Sequence, residues 1–237
     1  MRLDHRLIQL GLAPSRQKAK DYIESGHVKI GAEFAKRPGQ RVTEDDEIHL
    51  INPDKWVSRG AYKLDFAISA FKLELHDKVC LDIGASTGGF TQVCLTAGAK
   101  KVYAVDVGTA QLHPTLKEDS RVISLEQTHV NQLSLQQKVG FICVDVSFIS
   151  VTQILPSAAS FLLNNADAVI LIKPQYEVGK ENLPANGIVL NQVLHEQAIK
   201  KVKTCAQASG FTIQNITTSP IKGKAGNTEY LLHLRSA

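Results

Sequence analysis

The segment Val79-Cys80-Leu81-Asp82-Ile83-Gly84-Ala85-Ser86-Thr87-Gly88-Gly89-Phe90-Thr91 carries the densest chemical signal in the 237-residue chain. It reads as an apolar strand, a glycine loop and the start of a helix. In a doubly wound sheet, ligands bind at the carboxyl ends of the strands, where glycines let the backbone approach. The next apolar run ends in Val105-Asp106, 22 residues beyond Gly84, about the spacing at which a carboxylate reaches a ribose diol. A nucleoside-like cofactor is implied. The dinucleotide fingerprint requires G-x-G-x-x-G, whereas this loop reads Gly84-xxx-Gly88-Gly89 with Asp82 two places ahead. A carboxylate there suits a cofactor carrying an ammonium or sulfonium cation better than one carrying a pyrophosphate, which points to S-adenosylmethionine and away from a nicotinamide dehydrogenase. The expected cofactor contacts are Asp82, Gly84, Ala85, Ser86, Gly88, Gly89, Phe90, Asp106 and Asp145.

Four further charged residues carry potential chemistry: Lys63 ahead of the glycine loop, Asp145 and Lys173 at the ends of two apolar runs, and Glu229 at the start of a third. One charged residue at a strand tip is ordinarily just solvated. As a set they are more, because a parallel sheet brings Asp145 and Lys173 side by side at the rim of the cleft.

The elements that must position these residues are legible from Lys78 onward. Apolar runs at Val79–Ile83, Lys101–Val107, Arg121–Leu125, Phe141–Val146 and Ala168–Lys173 alternate with helix-length segments, as in a parallel sheet covered on both faces. Two last strands, Thr212–Thr217 and Glu229–Leu234, are joined by the loop Lys222–Asn227, too short for a crossover helix, so an antiparallel pair at one edge is expected. Before the sheet, Leu3, Leu7, Ile8 and Leu10 recur at helical spacing up to Gly11. A second helix opens at Pro14-Ser15, with Ser15 as N-cap, Ala19, Tyr22 and Ile23 as its buried stripe and Gly26 as its stop. Short strands follow at residues 27–31 and 47–51. The expected organisation is a module over 1–52, a linker over 53–62 rich in turn residues, and a large domain over 63–237, with Trp56 and Tyr62 packing between the domains.

Charge separates the two parts. Residues 1–41 hold nine Lys or Arg against four Asp or Glu, while the remainder holds eighteen against nineteen. Arg16 and Lys20 share one face of the second helix, with Lys18 beside them. The composition, 43% hydrophobic and 21% charged, is that of a globular protein with a proper core. The longest aliphatic run has five residues, far short of the ~20 that cross a bilayer, and charges interrupt the N-terminus where a signal peptide needs an apolar stretch. Cys80, Cys94, Cys143 and Cys205 lie 14, 49 and 62 residues apart, which fits neither a zinc site nor a compact disulfide framework. Buried free thiols, no metal and a reducing cytoplasm are the expectations.

The pattern Leu3-Asp4-xx-Leu7-xx-Leu10-Gly11-Leu12-xx-Ser15-Arg16-xx-Ala19-xxx-Ile23-xx-Gly26-x-Val28 resembles the S4 RNA-binding domain. The Val-Asn-Gly turn common in that domain reads Lys29-Ile30-Gly31 here. The large domain resembles the RrmJ/FtsJ-like ribose 2′-O-methyltransferases, whose Lys-Asp-Lys-Glu tetrad falls on Lys63, Asp145, Lys173 and Glu229. The chain as a whole is similar to the TlyA family, in which an S4 domain is fused to that methyltransferase fold and whose members have also been called haemolysins. The motifs Asp82–Thr91, Asp145–Ser150, Ile172–Gly179 and Ser219–Tyr230 carry this likeness.

The resemblance implies a Rossmann-like α/β methyltransferase fold with a small α+β S4 domain. It implies methyl transfer from S-adenosylmethionine to the 2′-hydroxyl of cytidines in ribosomal RNA or ribosomal subunits, and RNA contacts by Arg16, Lys18, Lys20 and Arg59. Lys173 is the candidate base, a role that needs its neutral form. Burial and the nearby cation Lys63 favour that form, whereas Asp145 and Glu229 oppose it and are read as orienting groups. Where the family often has Asp, Asn and Arg, this chain has Gln92, His129 and Asn131, and the linker motif Arg-x-Trp-Val is only partly kept as Asp54-Lys55-Trp56-Val57. The alternatives are a non-catalytic RNA-binding protein with a degenerate methyltransferase fold and a membrane-acting haemolysin. The latter would need a spanning or strongly amphipathic basic segment.

Overall fold

The computed structural model describes residues 1–24, 27–50, 55–223 and 225–237, which form two compact units, Met1–Lys55 and Trp56–Ala237. The expected helix stop at Gly26, the 52/53 boundary with most of the turn-rich linker, and Lys224 of the glycine-rich loop lie outside the described residues.

The first unit contains α1 (Leu3–Gln9), α2 (Arg16–Glu24), β1 (Val28–Ile30), β2 (Glu33–Phe34) and β3 (Ile48–Leu50). The central strand β1 pairs antiparallel with both neighbours. Leu3 and Leu7, one helical turn apart, pack against Ala19, Tyr22 and Ile23 of α2 and against Val28. Ile8 and Leu10 do not join that stripe and are 40% and 42% exposed. A rotation of about 100° per residue carries Ile8 off the Leu3–Leu7 face, and Leu10 lies past the last turn of α1. The Ser15 hydroxyl accepts the Lys18 backbone N–H at 3.2 Å, so it caps α2 as expected. Asp4 is fully buried beneath two guanidinium groups, with Arg2 Nε 3.0 Å from Oδ1 and Arg16 Nε 3.1 Å from Oδ2. These bonds hold its carboxyl well below the usual range against the opposing effect of burial.

The second unit contains α3 (Ala61–Phe71), β4 (Val79–Ile83), α4 (Gly89–Thr96), β5 (Lys101–Val105), α5 (Pro114–Lys117), β6 (Val122–Leu125), β7 (Val139–Val144), α6 (Leu155–Phe161), β8 (Leu162–Ile172), α7 (Pro174–Glu177), α8 (Gln192–Ala208), β9 (Phe211–Thr218) and β10 (Tyr230–Ser236). The sheet order is β6-β5-β4-β7-β8-β10-β9. Strands β6 to β8 in that row run parallel, and β10 is antiparallel to β8 and β9. Side chains alternate between two cores. Leu81, Ile83, Ile142, Val144 and Ile170 meet α6 and α8, while Cys80, Phe141, Cys143 and Val169 meet α3 and α4. Trp56 is 3% exposed within this second core. Residues 56–62, assigned above to a linker, therefore belong to the large unit, and the burial of Trp56 needs no packing between domains.

All four cysteines are free; Cys80, Cys94 and Cys143 are buried. Cys205 is only half-buried, with its thiol 3.5 Å from the Thr152 carbonyl, because it lies at the margin of the buried stripe of α8. Among the described residues no helix is long and apolar enough to cross a membrane. No group of three or more His, Cys, Asp or Glu among them is placed to hold a metal ion.

Candidate active site

The chain leaves β4 toward β5 and β6 on one side and then crosses to β7 on the other, so a crevice opens at the carboxyl end of β4. The register aligns Ile83 with Val144 and Ile172 with Tyr230. Asp145 and Lys173 each follow directly on the last residue of a strand. Glu229 directly precedes β10, which begins at the same rim because it runs antiparallel. The apolar runs read from sequence to Val107, Val146 and Lys173 thus end in strands that stop at Val105, Val144 and Ile172. Beyond those points the chain turns to line the cleft. Gly84 sits in the left-handed region at φ +85°, and a Cβ there would come 2.5 Å from the Asp145 carbonyl oxygen. Only glycine allows the two strand ends to approach this closely.

The four charged residues form two ion pairs. Lys173 Nζ lies 2.6 Å from Asp145 Oδ1 and donates to the Ser147 hydroxyl at 2.7 Å. Lys63 Nζ donates to Glu229 Oε2 at 2.6 Å, with the two residues 7% and 2% exposed. Gly60, at the head of the helix that bears Lys63, has its Cβ position 3.7 Å from Asp145 Oδ2, which brings that helix against the Lys173 pair. Lys63, read above as a nearby cation, is paired with Glu229, which offsets its charge. Lys173 Nζ also stands 5.8 Å from the centre of the Tyr176 ring, and that ring packs at 5.6 Å against Phe148. Phe148 is 87% exposed and is held at φ +68°.

A cavity of about 520 Å³ adjoins these residues, and Gly84, Ser86, Asp106 and Asp145 of the expected cofactor set line it. Asp106 accepts the Ser86 N–H at 2.8 Å and the Gly108 N–H at 2.7 Å, which fixes its carboxylate at the end of β5. The other five residues of that set do not line the cavity. Gly88, at φ +94°, gives α4 its left-handed entry, and a Cβ there would collide with Leu112 and Leu116. Gly89 passes close to the Ser58 hydroxyl and the Ala61 N–H. Ala85 and Phe90 are core residues.

Asp82 is fully buried and accepts the Thr91 hydroxyl at 2.7 Å, while its Oδ1 has no partner among the described residues. Its alternation with Cys80 turns it toward α4 rather than the crevice. Burial pushes its carboxyl up to about 7, with the Thr91 bond opposing and the Asp145 charge adding.

Sequence reasoning missed Glu177. This buried carboxylate accepts the Ser150 hydroxyl at 2.5 Å and the Val151 N–H at 2.8 Å, and lies 3.3 Å from Lys201 Nζ. It ties the loop after Asp145 to the short helix after Lys173. The available signal was a carboxylate four residues beyond Lys173. Of the departures noted above, Gln92 accepts the Val57 N–H at 2.7 Å and so supports the Trp56-Val57 segment, while His129 lines the cavity. In the first unit Arg16 is exposed and Lys18 and Lys20 are half-buried; Arg59, in the second unit, is exposed.

Residues 56–236 match the FtsJ-like methyltransferase family and residues 1–48 match the S4 domain. A Mycobacterium tuberculosis protein named 16S/23S rRNA (cytidine-2′-O)-methyltransferase TlyA is 39% identical over 99% of this chain and 90% of its own length. Hemolysin A of Brachyspira hyodysenteriae is 41% identical over 98% of this chain and 99% of its own. A solved Streptococcus thermophilus structure, also named as a hemolysin, superposes with a TM-score of 0.79 at 39% identity, covering 100% of this chain and 88% of that one.

Proposed function

The chain belongs to the FtsJ-like methyltransferase family, in the TlyA form with an S4 domain ahead of the enzyme fold, and from that premise we propose that it methylates the ribose 2′-hydroxyl of cytidine in ribosomal RNA, using S-adenosylmethionine in the cytoplasm. The observation that carries the proposal is the convergence of Lys63, Asp145, Lys173 and Glu229 on one rim of the sheet beside a cavity large enough for a nucleoside.

The residues present fit the cofactor. Gly84 lets the backbone come close, and Asp106 retains free lone pairs for a diol. When bound, S-adenosylmethionine supplies an electrophilic methyl group and a neutral thioether leaving group.

The protein's own work is to place and deprotonate the ribose hydroxyl. Lys173 Nζ takes the hydroxyl proton in its neutral form, and Asp145 and Ser147 aim the amine. The Lys63–Glu229 pair ties the first turn of α3 to the residue that precedes β10 at the same rim. Phe148 and Tyr176 offer aromatic surface to a base drawn out of its stack. Most of the acceleration comes from positioning.

Lys173→Ala is expected to abolish methyl transfer while S-adenosylhomocysteine still binds in a calorimetric titration. Substantial residual turnover in a radiolabelled methyl assay would remove Lys173 from the role of base.

A further inference from the structure

We propose that the open face of the three-stranded sheet in the first unit stacks an unpaired RNA base on Phe34, with Lys29 beside the ring to meet a phosphate. The proposal rests on the reading of ribosomal RNA as substrate and adds a contact surface for it. Alternation along the strands sorts their side chains to two faces. Val28, Ile30 and Ala35 turn inward to the core that α1 and α2 supply. Lys29, Phe34 and His49 turn the other way. The register sets these three in one row across the sheet, with Lys29 opposite Phe34 on one side and opposite His49 on the other. The row lies across the sheet from α2 and its cations, and is a separate surface.

Exposure and charge say what fits the row. Tyr22 is 8% exposed within the core of the unit, whereas Phe34 is 54% exposed. Ring surface left in water to that extent favours a partner that covers it. Lys29 Nζ stands 4.8 Å from the centre of the Phe34 ring, a cation–π contact that fixes the two side chains against each other. Lys36 and Arg37, both exposed, follow Phe34 by two and three residues. At the other end of the row His49 is exposed, with the Glu47 carboxylate 3.7 Å from its Nε2. A nucleotide matches this surface, because its base is flat and its backbone anionic; a purely apolar partner would strip water from the ammonium and return nothing. Every base has a π-face, so the surface accepts an unpaired strand without reading its sequence. Bases inside a duplex stack on one another and are closed to it.

The test is fluorescence anisotropy of the full chain with a short labelled oligocytidine strand and, separately, with a duplex of the same length, over a range of salt. Phe34→Ala is expected to weaken the single strand about tenfold, the loss of one stacked base, with salt slope and duplex affinity unchanged. Phe34→Leu keeps an apolar side chain on the strand but offers no ring, and should lose as much. Phe34→Trp should stay within about threefold of the wild type or bind more tightly. Lys29→Ala should lower the slope of log affinity against log salt by about 0.7, one phosphate contact on a single strand. Unchanged single-strand affinity in Phe34→Ala would overturn the proposal. So would full affinity in Phe34→Leu, which marks a plain apolar contact, an equal loss on the duplex, or a change in sedimentation that shows the face joining two copies of the chain. If the unsubstituted chain binds ribosomal RNA but not the single strand, this proposal falls alone; if it binds neither, the substrate reading falls with it.

Discussion

Asp82 keeps one carboxylate oxygen without a partner among the described residues while burial holds its carboxyl up to about 7. Since the folded chain holds this proton more tightly than the unfolded one, the associated stability is full below the ordinary carboxylate range and is lost as pH rises through about 7. Asp82→Asn removes that titration and keeps an acceptor for Thr91. In thermal melts without cofactor, its advantage over the wild type should grow from pH 4 to pH 8, toward an upper bound on the order of 4 kcal/mol; parallel stability curves would contradict the assignment. The glycine pattern and the strand-end charges Asp145, Lys173 and Glu229 were legible in the sequence from residue type and position, whereas Lys63, on α3, joined them in a tetrad only through the family resemblance. The pairings were not: that Lys63 bonds Glu229, and that Asp82 turns to Thr91, depends on which face of β4 and which turn of α3 point inward.

At the scale of elements, seven strands of the large unit were readable as apolar runs because most are buried on both faces and carry no competing helical period. Their ends were not, since a strand's last apolar residue and the first residue past its ladder look alike in sequence. Nor was the bracing of the loops. Glu177 joins the segment after β7 to α7 and to Lys201 of α8 through bonds that span 24 to 27 residues, a separation over which local pattern says nothing. Glu177→Ala is expected to lower kcat at least tenfold, by loosening Asp145 relative to Lys173, and to cost about 2–3 kcal/mol of stability from unsatisfied buried donors. S-adenosylhomocysteine affinity should change little. A variant with full kcat in steady-state assays would show that the brace serves folding alone.

Over the whole molecule, the charge is divided as its two units are, with the basic excess in residues 1–41. Not all of that charge is available to RNA. Arg16 is held on buried Asp4, so its replacement would disturb the fold of the small unit as well as any RNA contact. Lys18 and Lys20 are the cleaner test. Their double alanine variant should bind ribosomal RNA more weakly and lower the slope of log affinity against log salt by about two, near one for each phosphate that no longer meets a cation. An unchanged slope would place the RNA on another surface. Some relatives bear a haemolysin name; among the described residues of this chain no helix is long and apolar enough to cross a membrane.

The most direct measurement is to incubate the purified chain with unmodified bacterial ribosomal subunits and methyl-labelled S-adenosylmethionine, digest the RNA to nucleosides and identify the labelled product. Label confined to 2′-O-methylcytidine, and absent with Lys173→Ala, is the predicted result. Label on a base, or none on any nucleoside while the cofactor demonstrably binds, would contradict the assignment.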